Sequence, residues 1–177
     1  MTPSYVSGTS DEPLLWRTIG DALRVTADAF PGRDALIACH QKVRMSWREL
    51  DAAADLLASG LLRLGLEVGD RVGIWSPNRF EWVVTQFATA RAGLILVNVN
   101  PAYRLAELEY ALNKVGCKAL LMAERLKSSD YVAMLQSLAP ELSEAAPGKL
   151  EAARLPTLRH VITLGEKRHA GCHRYAD

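Results

Sequence analysis

Much of what would send this chain to a membrane, to nucleic acid or into an oxidising compartment is missing from it. No apolar run approaches the roughly 18 residues that a spanning helix needs. Charge is balanced: 21 basic minus 20 acidic side chains leave a formal net charge of +1. That gives no electrostatic case for nucleic acid or an anionic surface. Cysteine is scarce. Cys39, Cys117 and Cys172 are odd in number, widely spaced and free of any C-x-x-C pair, which fits reduced thiols rather than a disulfide framework. Residues 1–12 are polar and lack the basic start and apolar stretch of a secretory leader. A cytoplasmic protein with no membrane span is expected. Internal repeats and low-complexity tracts are absent, and so is any G-x-x-x-x-G-K-[ST] phosphate loop. The run Ser7-Gly8-Thr9-Ser10 is small and polar, but no strand precedes it to frame a phosphate site.

What is present suits one globular unit with a real core: 177 residues, 49% apolar and 23% charged. The expected organisation is a flexible arm over residues 1–13, an α/β region over 14–165 and an irregular tail over 166–177, where no hydrophobic period survives. Leu15, Ile19, Leu23 and Ala27 recur at helical spacing until Pro31-Gly32 breaks the pattern. Residues 35–38 and 42–45 read as two short strands of a hairpin, with His40 in the turn. Ser46-Trp47-Arg48-Glu49 has the letters and spacing of a capping box. Leu50, Ala54, Leu57, Leu61 and Leu64 follow on one helical face, and Gly65 closes it.

Residues 69–103 organise the rest. Arg71–Trp75 is a short strand candidate closed by Ser76-Pro77-Asn78. Asn78 is in place to cap a helix, with Glu81 three residues on. Trp82, Val83, Phe87 and Ala90 then recur at helical spacing up to Gly93. The continuous run Leu94–Val97 predicts a strand buried on both faces. This is a βαβ unit, so a parallel sheet is expected. A second unit follows: Leu105, Leu108, Leu112 and Val115 mark a helix ended by Gly116, and Lys118–Met122, with its apolar run Ala119–Met122, reads as a strand. Residues 129–138 predict a helix, residues 140–156 a polar, Ala-rich connection, and residues 159–164 one more strand. Trp16, Trp47, Trp75 and Trp82 read as core residues rather than as a stacking platform.

The segments Gly69-Asp70-Arg71-Val72, Trp75-Ser76-Pro77-Asn78, Glu81-Trp82, Ala90-Arg91-Ala92-Gly93 and Asn98-Val99-Asn100-Pro101-Ala102-Tyr103 together resemble the amino-terminal part of the adenylate-forming acyl-CoA synthetases. The resemblance is greatest to bacterial medium- and long-chain fatty-acyl-CoA synthetases, and it extends over about residues 18–165. It implies an α/β fold, an incomplete amino-terminal portion of the adenylate-forming enzyme with a mainly parallel sheet and flanking helices. For the full-length family it implies a ligase that uses ATP and Mg²⁺ to turn a fatty acid into an acyl-adenylate and then passes the acyl group to coenzyme A. The family's Ser/Thr/Gly-rich loop ending in Pro-Lys-Gly, its ribose-binding acid and its carboxyl-terminal lysine have no counterpart here. The resemblance therefore places no catalytic, cofactor-binding or metal residue in this chain, which is expected to be inactive alone. The alternative is a non-enzymatic α/β module that binds a partner protein or a nucleotide, or that associates with itself through uncovered surface.

Two smaller features stay open. Residues 98–104 follow the carboxyl end of a predicted parallel strand, where open α/β sheets take ligands, and by resemblance lie near the coenzyme A nucleotide. Asn98, Asn100 and Pro101 are equally the composition of a plain turn. His169, Cys172 and His173 have spacing compatible with metal ligation, but no fourth ligand is evident and they read as an exposed tail.

Overall fold

The computed structural model describes Ser4, Ser7, Gly8, Asp11 and residues 13–177. The Ser7–Ser10 run therefore lies partly outside the described residues, as does most of the expected arm. Helix α1 (Ile19–Ala29) comes first. Strands β1 (Asp34–Ala38) and β2 (Val43–Ser46) form the expected antiparallel hairpin. A single tight turn at Cys39–Gln41 joins them, with Lys42 in the left-handed region at φ 55°.

Helix α2 (Trp47–Arg63) starts on the capping box. Ser46 Oγ accepts from Glu49 N at 3.3 Å and Glu49 Oε2 accepts from Ser46 N at 2.7 Å. Two of the amides that a helix start leaves orphaned are thereby satisfied.

The βαβ unit follows as β3 (Arg71–Trp75), α3 (Phe80–Arg91) and β4 (Ile95–Val99). After it come α4 (Leu105–Val115), β5 (Cys117–Met122), the short pair β6 (Arg125–Leu126) and β7 (Ser129–Asp130), and α5 (Tyr131–Leu138). Strands β8 (His160–Thr163) and β9 (His173–Arg174) complete the set. Five strands pair in parallel in the order β4-β3-β5-β8-β9.

The sheet has a helical layer on each face. Successive residues of β5 alternate between them, as pleating requires. Leu120 and Met122 pack with Leu108, Leu112, Tyr131 and Leu135 of α4 and α5. Ala119 and Leu121 pack with Ala58, Leu61 and Ala88 of α2 and α3. Helix α1 is outermost, its Leu23 meeting Leu50, Ala54 and Val84. Arg91 ties these three helices together. It donates to Gly20 O at 3.2 Å and to Asp51 O at 3.1 Å, and pairs with Asp51 and Asp55.

Gly69-Asp70-Arg71-Val72 builds the amino edge of β3. Gly69 sits at φ 88° and donates to Gly93 O at 2.8 Å. Asp70 accepts from Glu67 N and pairs with Lys118, both at 2.8 Å. Burial opposes that carboxylate, but Lys118 and the Glu67 amide outweigh it and hold its pKa below the usual range. Arg71 Nε donates to Val115 O at 2.7 Å. This motif is a joint between strands, at the edge away from the strands' carboxyl ends.

Four sequence expectations are corrected. Strand β4 is an edge strand with Ile95 51% exposed and Leu96 and Val97 only half-buried, not a strand buried on both faces. Residues 140–156 are no polar connection, since Leu142, Leu150, Ala152 and Leu155 are buried in the core under α5. The tail is not irregular throughout: His173–Arg174 extends the sheet and Cys172 is buried. Trp16 is 91% exposed, so only Trp75, Trp47 and Trp82 take part in packing.

Candidate functional site

All five parallel strands end at one rim, where the chain crosses from β3 to β4 on one side and then from β4 back past β3 to β5 on the other. This reversal of strand order is where open α/β sheets offer a crevice. Ser76-Pro77-Asn78-Arg79 leaves β3 there. Ser76 is buried, and its hydroxyl donates to Pro77 O at 2.8 Å.

Asn78 does not cap α3. The helix begins at Phe80, after Arg79, which makes no side-chain capping bond. The cap comes from the hairpin turn instead: Gln41 Oε1 accepts from Phe80 N at 2.8 Å. The same amide group donates through Nε2 to Glu81 Oε2 at 2.9 Å.

Glu81 is the buried acid of the rim, its side chain only 4% exposed. Arg79 meets it in a forked contact, Nη2 to Oε1 at 2.6 Å and Nε to Oε2 at 3.2 Å. Arg79 Nη2 also donates to Leu164 O at 3.2 Å, just past β8. A carboxylate with this many donors is satisfied without solvent. Tyr175 lies edge-on to Phe80, ring centroids 6.4 Å apart, and burial followed by the nearby Glu81 charge pushes its phenol well above the ordinary range. The Arg79–Glu81–Gln41 group thus locks three loops together.

On the other side of β5, Glu124 Oε1 contacts His169 Nε2 at 2.7 Å. Gly165 faces this carboxylate so closely that a methyl group there would overlap it. Beside the pair is a polar hollow of about 450 Å³ shared by Arg125, Asp130, Gln136 and Lys167. It is the feature of the rim with room and charge for a polar ligand. Among the described residues no group of three or more His, Cys, Asp or Glu is placed to hold a metal ion.

The loop after β4 is occupied with itself. Asn100 Oδ1 accepts from Ala102 N at 2.9 Å, and Asn100 O from Tyr103 N at 3.0 Å. Pro101 O accepts from the Tyr131 hydroxyl at 2.5 Å. Tyr131 in turn stacks on Trp75, with centroids 3.7 Å apart and planes at 11°. Asn98 is exposed at the strand end.

The three tail residues do not converge. His169 faces Glu124, Cys172 is buried in the core below α5, and His173 stacks on His160. Burial raises the Cys172 thiol to about 11 and the Cys117 thiol to about 12, so neither is a thiolate at neutral pH. His40 is exposed in the hairpin turn. Sequence reasoning missed Gln41, Arg79, Glu124 and Tyr175 as rim residues. Only Glu81, spaced three residues after Asn78, carried a local signal.

Comparison with known proteins gives this frame its family. The AMP-binding enzyme family matches residues 23–171, and the chain belongs to it. The rat protein "Medium-chain acyl-CoA ligase ACSF2, mitochondrial" (Rattus norvegicus) is 47% identical over 161 residues, covering 91% of this chain and 26% of that protein. Among solved structures, acetoacetyl-CoA synthetase from Streptomyces lividans superposes with a TM-score of 0.75 at 25% identity, over 90% of this chain and 24% of that one. A Mycobacterium tuberculosis fatty acyl CoA synthetase shares the fold with a TM-score of 0.70 at 24% identity, over 83% and 26% of the two chains. The chain thus spans about a quarter of the length of the curated relatives it matches. No described helix is long and apolar enough to cross a membrane.

Proposed function

We propose that this chain supplies the amino-terminal parallel sheet of an ATP-dependent acid–thiol ligase, one that activates a medium-chain fatty acid as its adenylate and transfers the acyl group to coenzyme A. The observation that carries the reading is the 47% identity over 161 residues, 91% of this chain, to a protein named as a medium-chain acyl-CoA ligase. The role proposed for the chain is a scaffold. Its rim loops are fixed by Gln41, Arg79, Glu81 and Glu124, and the crevice they border faces the rest of the enzyme.

On the same reading the chain by itself forms no acyl-adenylate. Adenylation concentrates charge on the α-phosphate and needs preorganised donors and a metal ion. The first amide of α3 is already taken by Gln41, and no carboxylate cluster offers a Mg²⁺ seat among the described residues. The ATP, Mg²⁺ and coenzyme A sites are therefore assigned to no residue of this chain.

Two measurements test the proposal. The chain incubated with ATP, Mg²⁺ and octanoate should release no pyrophosphate above a no-protein control, and release would overturn its scaffold role. The coding DNA after Asp177 should run on into a Ser/Thr/Gly-rich stretch ending in Pro-Lys-Gly; a different continuation would overturn the ligase reading.

A further inference from the structure

We propose that His160 and His173 form a proton-operated latch, which holds β9 and Tyr175 on the sheet at neutral pH and lets them go on acidification. Strand β9 has little backbone attachment of its own. It pairs with β8 at two positions, Ile162 with His173 and Thr163 with Arg174. The Thr163 hydroxyl donates to His173 O at 3.3 Å and Tyr175 N to Thr163 O at 2.9 Å. The side chains must supply the rest, and within β9 itself one contact is ring on ring. His173 stacks on His160 with centroids 5.8 Å apart and planes at 29°.

His160 Nδ1 and His173 Nε2 are both buried and both lack a hydrogen-bond partner. Gly148, at φ 80°, closes over them. A methyl group on it would stand 3.1 Å from His160 Nδ1 and 3.4 Å from His173 Nε2. A neutral imidazole leaves one ring nitrogen without a proton, so it can keep a bare nitrogen against the Gly148 backbone. An imidazolium carries N–H at both positions. Charging either ring therefore leaves a buried cationic donor with nothing to accept from it.

The neighbouring charges mostly add to this. Lys149 on the covering loop, Arg159 ahead of β8 and Lys118 on β5 all bear on His160, together with His173 itself. Asp177 alone favours the charged form of His173, and it is already paired with Arg174 and Arg168. Burial first, then these cations, lower the pKa of His160; burial lowers that of His173. With both groups below their free value of about 6.5, the undocked tail binds more protons than the docked one, so docking is at full strength above that pH and weakens below it. Release would withdraw Tyr175 from Phe80 and open a cavity of about 300 Å³ between α2 and the tail, lined by Leu57, Leu61 and Ile162.

Amide hydrogen exchange of Tyr175 in the full chain, in the presence of EDTA, tests the latch. Corrected for intrinsic pH dependence, its protection should fall about tenfold or more between pH 7.5 and 5.0, since each proton linked to release contributes up to tenfold per pH unit. In the double variant H160Q/H173Q protection should not change with pH. A flat wild-type profile, or the same fall in the double variant, would overturn the proposal. If the double variant does not fold, the ring titrations of the wild-type chain decide. His160 must titrate below the free-histidine value of about 6.5, and titration at or above that value refutes the latch.

Discussion

Gln41 and Phe80 are 39 residues apart in sequence, yet the Gln41 side chain accepts the first amide of α3 at 2.8 Å. Its other end donates to Glu81 at 2.9 Å, so one side chain joins the hairpin to the rim of the parallel sheet. Gln41→Ala should cost about 1 kcal/mol, as the loss of a helix cap does. Glu81→Ala should cost more, about 3 kcal/mol, because Arg79 is left half-buried without its partner. Urea midpoints of the two variants check both the sizes and their order.

Ser46→Ala removes one half of the capping box and should cost about 1 kcal/mol. Glu49→Gln keeps a hydrogen-bonding side chain and should cost less. Chemical denaturation of both separates the cap from a general effect at this helix end.

Leu121 and Leu96 lie in one sheet, on the strands either side of β3, but in different surroundings. Leu121 is fully buried in β5, between two strands and under two helices. Leu121→Ala should cost about 2–5 kcal/mol through lost burial and a cavity. Leu96, half-buried on the edge strand, should cost about 1 kcal/mol on the same change, its apolar area being only partly withdrawn from water. Equal losses in thermal or chemical denaturation would contradict the edge position of β4.

Glycine at 171 and at 165 answers different needs. Gly171 has φ 70° and its missing side chain would meet Leu142 O, a backbone atom. Gly171→Ala should cost about 2–3 kcal/mol, combining left-handed strain with a clash that nothing can swing away from. Gly165 is crowded only by the end of the Glu124 side chain. Gly165→Ala should instead displace Glu124 and break its contact with His169 at about 1 kcal/mol. A changed His169 ring environment in the NMR spectrum alongside a small stability loss distinguishes the second case.

The frame of the molecule was legible because helices and strands write their period into neighbouring residues. The spacing of Leu50, Ala54, Leu57 and Leu61 and the box at Ser46–Glu49 needed nothing from afar. The long connection was not, since Leu142 reaches the core from a single 3-10 turn and Leu150 and Leu155 from irregular backbone, and the three show no period. The rim was nearly invisible for the same reason. Gln41 contacts Glu81 across 40 residues and Arg79 contacts Leu164 across 85, and no local rule proposes such pairs. Leu96 misled because an apolar run says that a strand is apolar, not how many neighbours it has. Asn78 misled because a good capping residue lost to an acceptor from another loop.

The strand order β4-β3-β5-β8-β9 also bears on how the sheet can be assembled as the chain is made. Strand β3 leaves the ribosome first, β4 joins one of its sides, and β5 joins the other. Strands β8 and β9 then add outward from β5. Every newcomer meets a free edge, and none has to be wedged between two strands already paired. Synthesis from the amino terminus can thus lay down the sheet without undoing any earlier pairing.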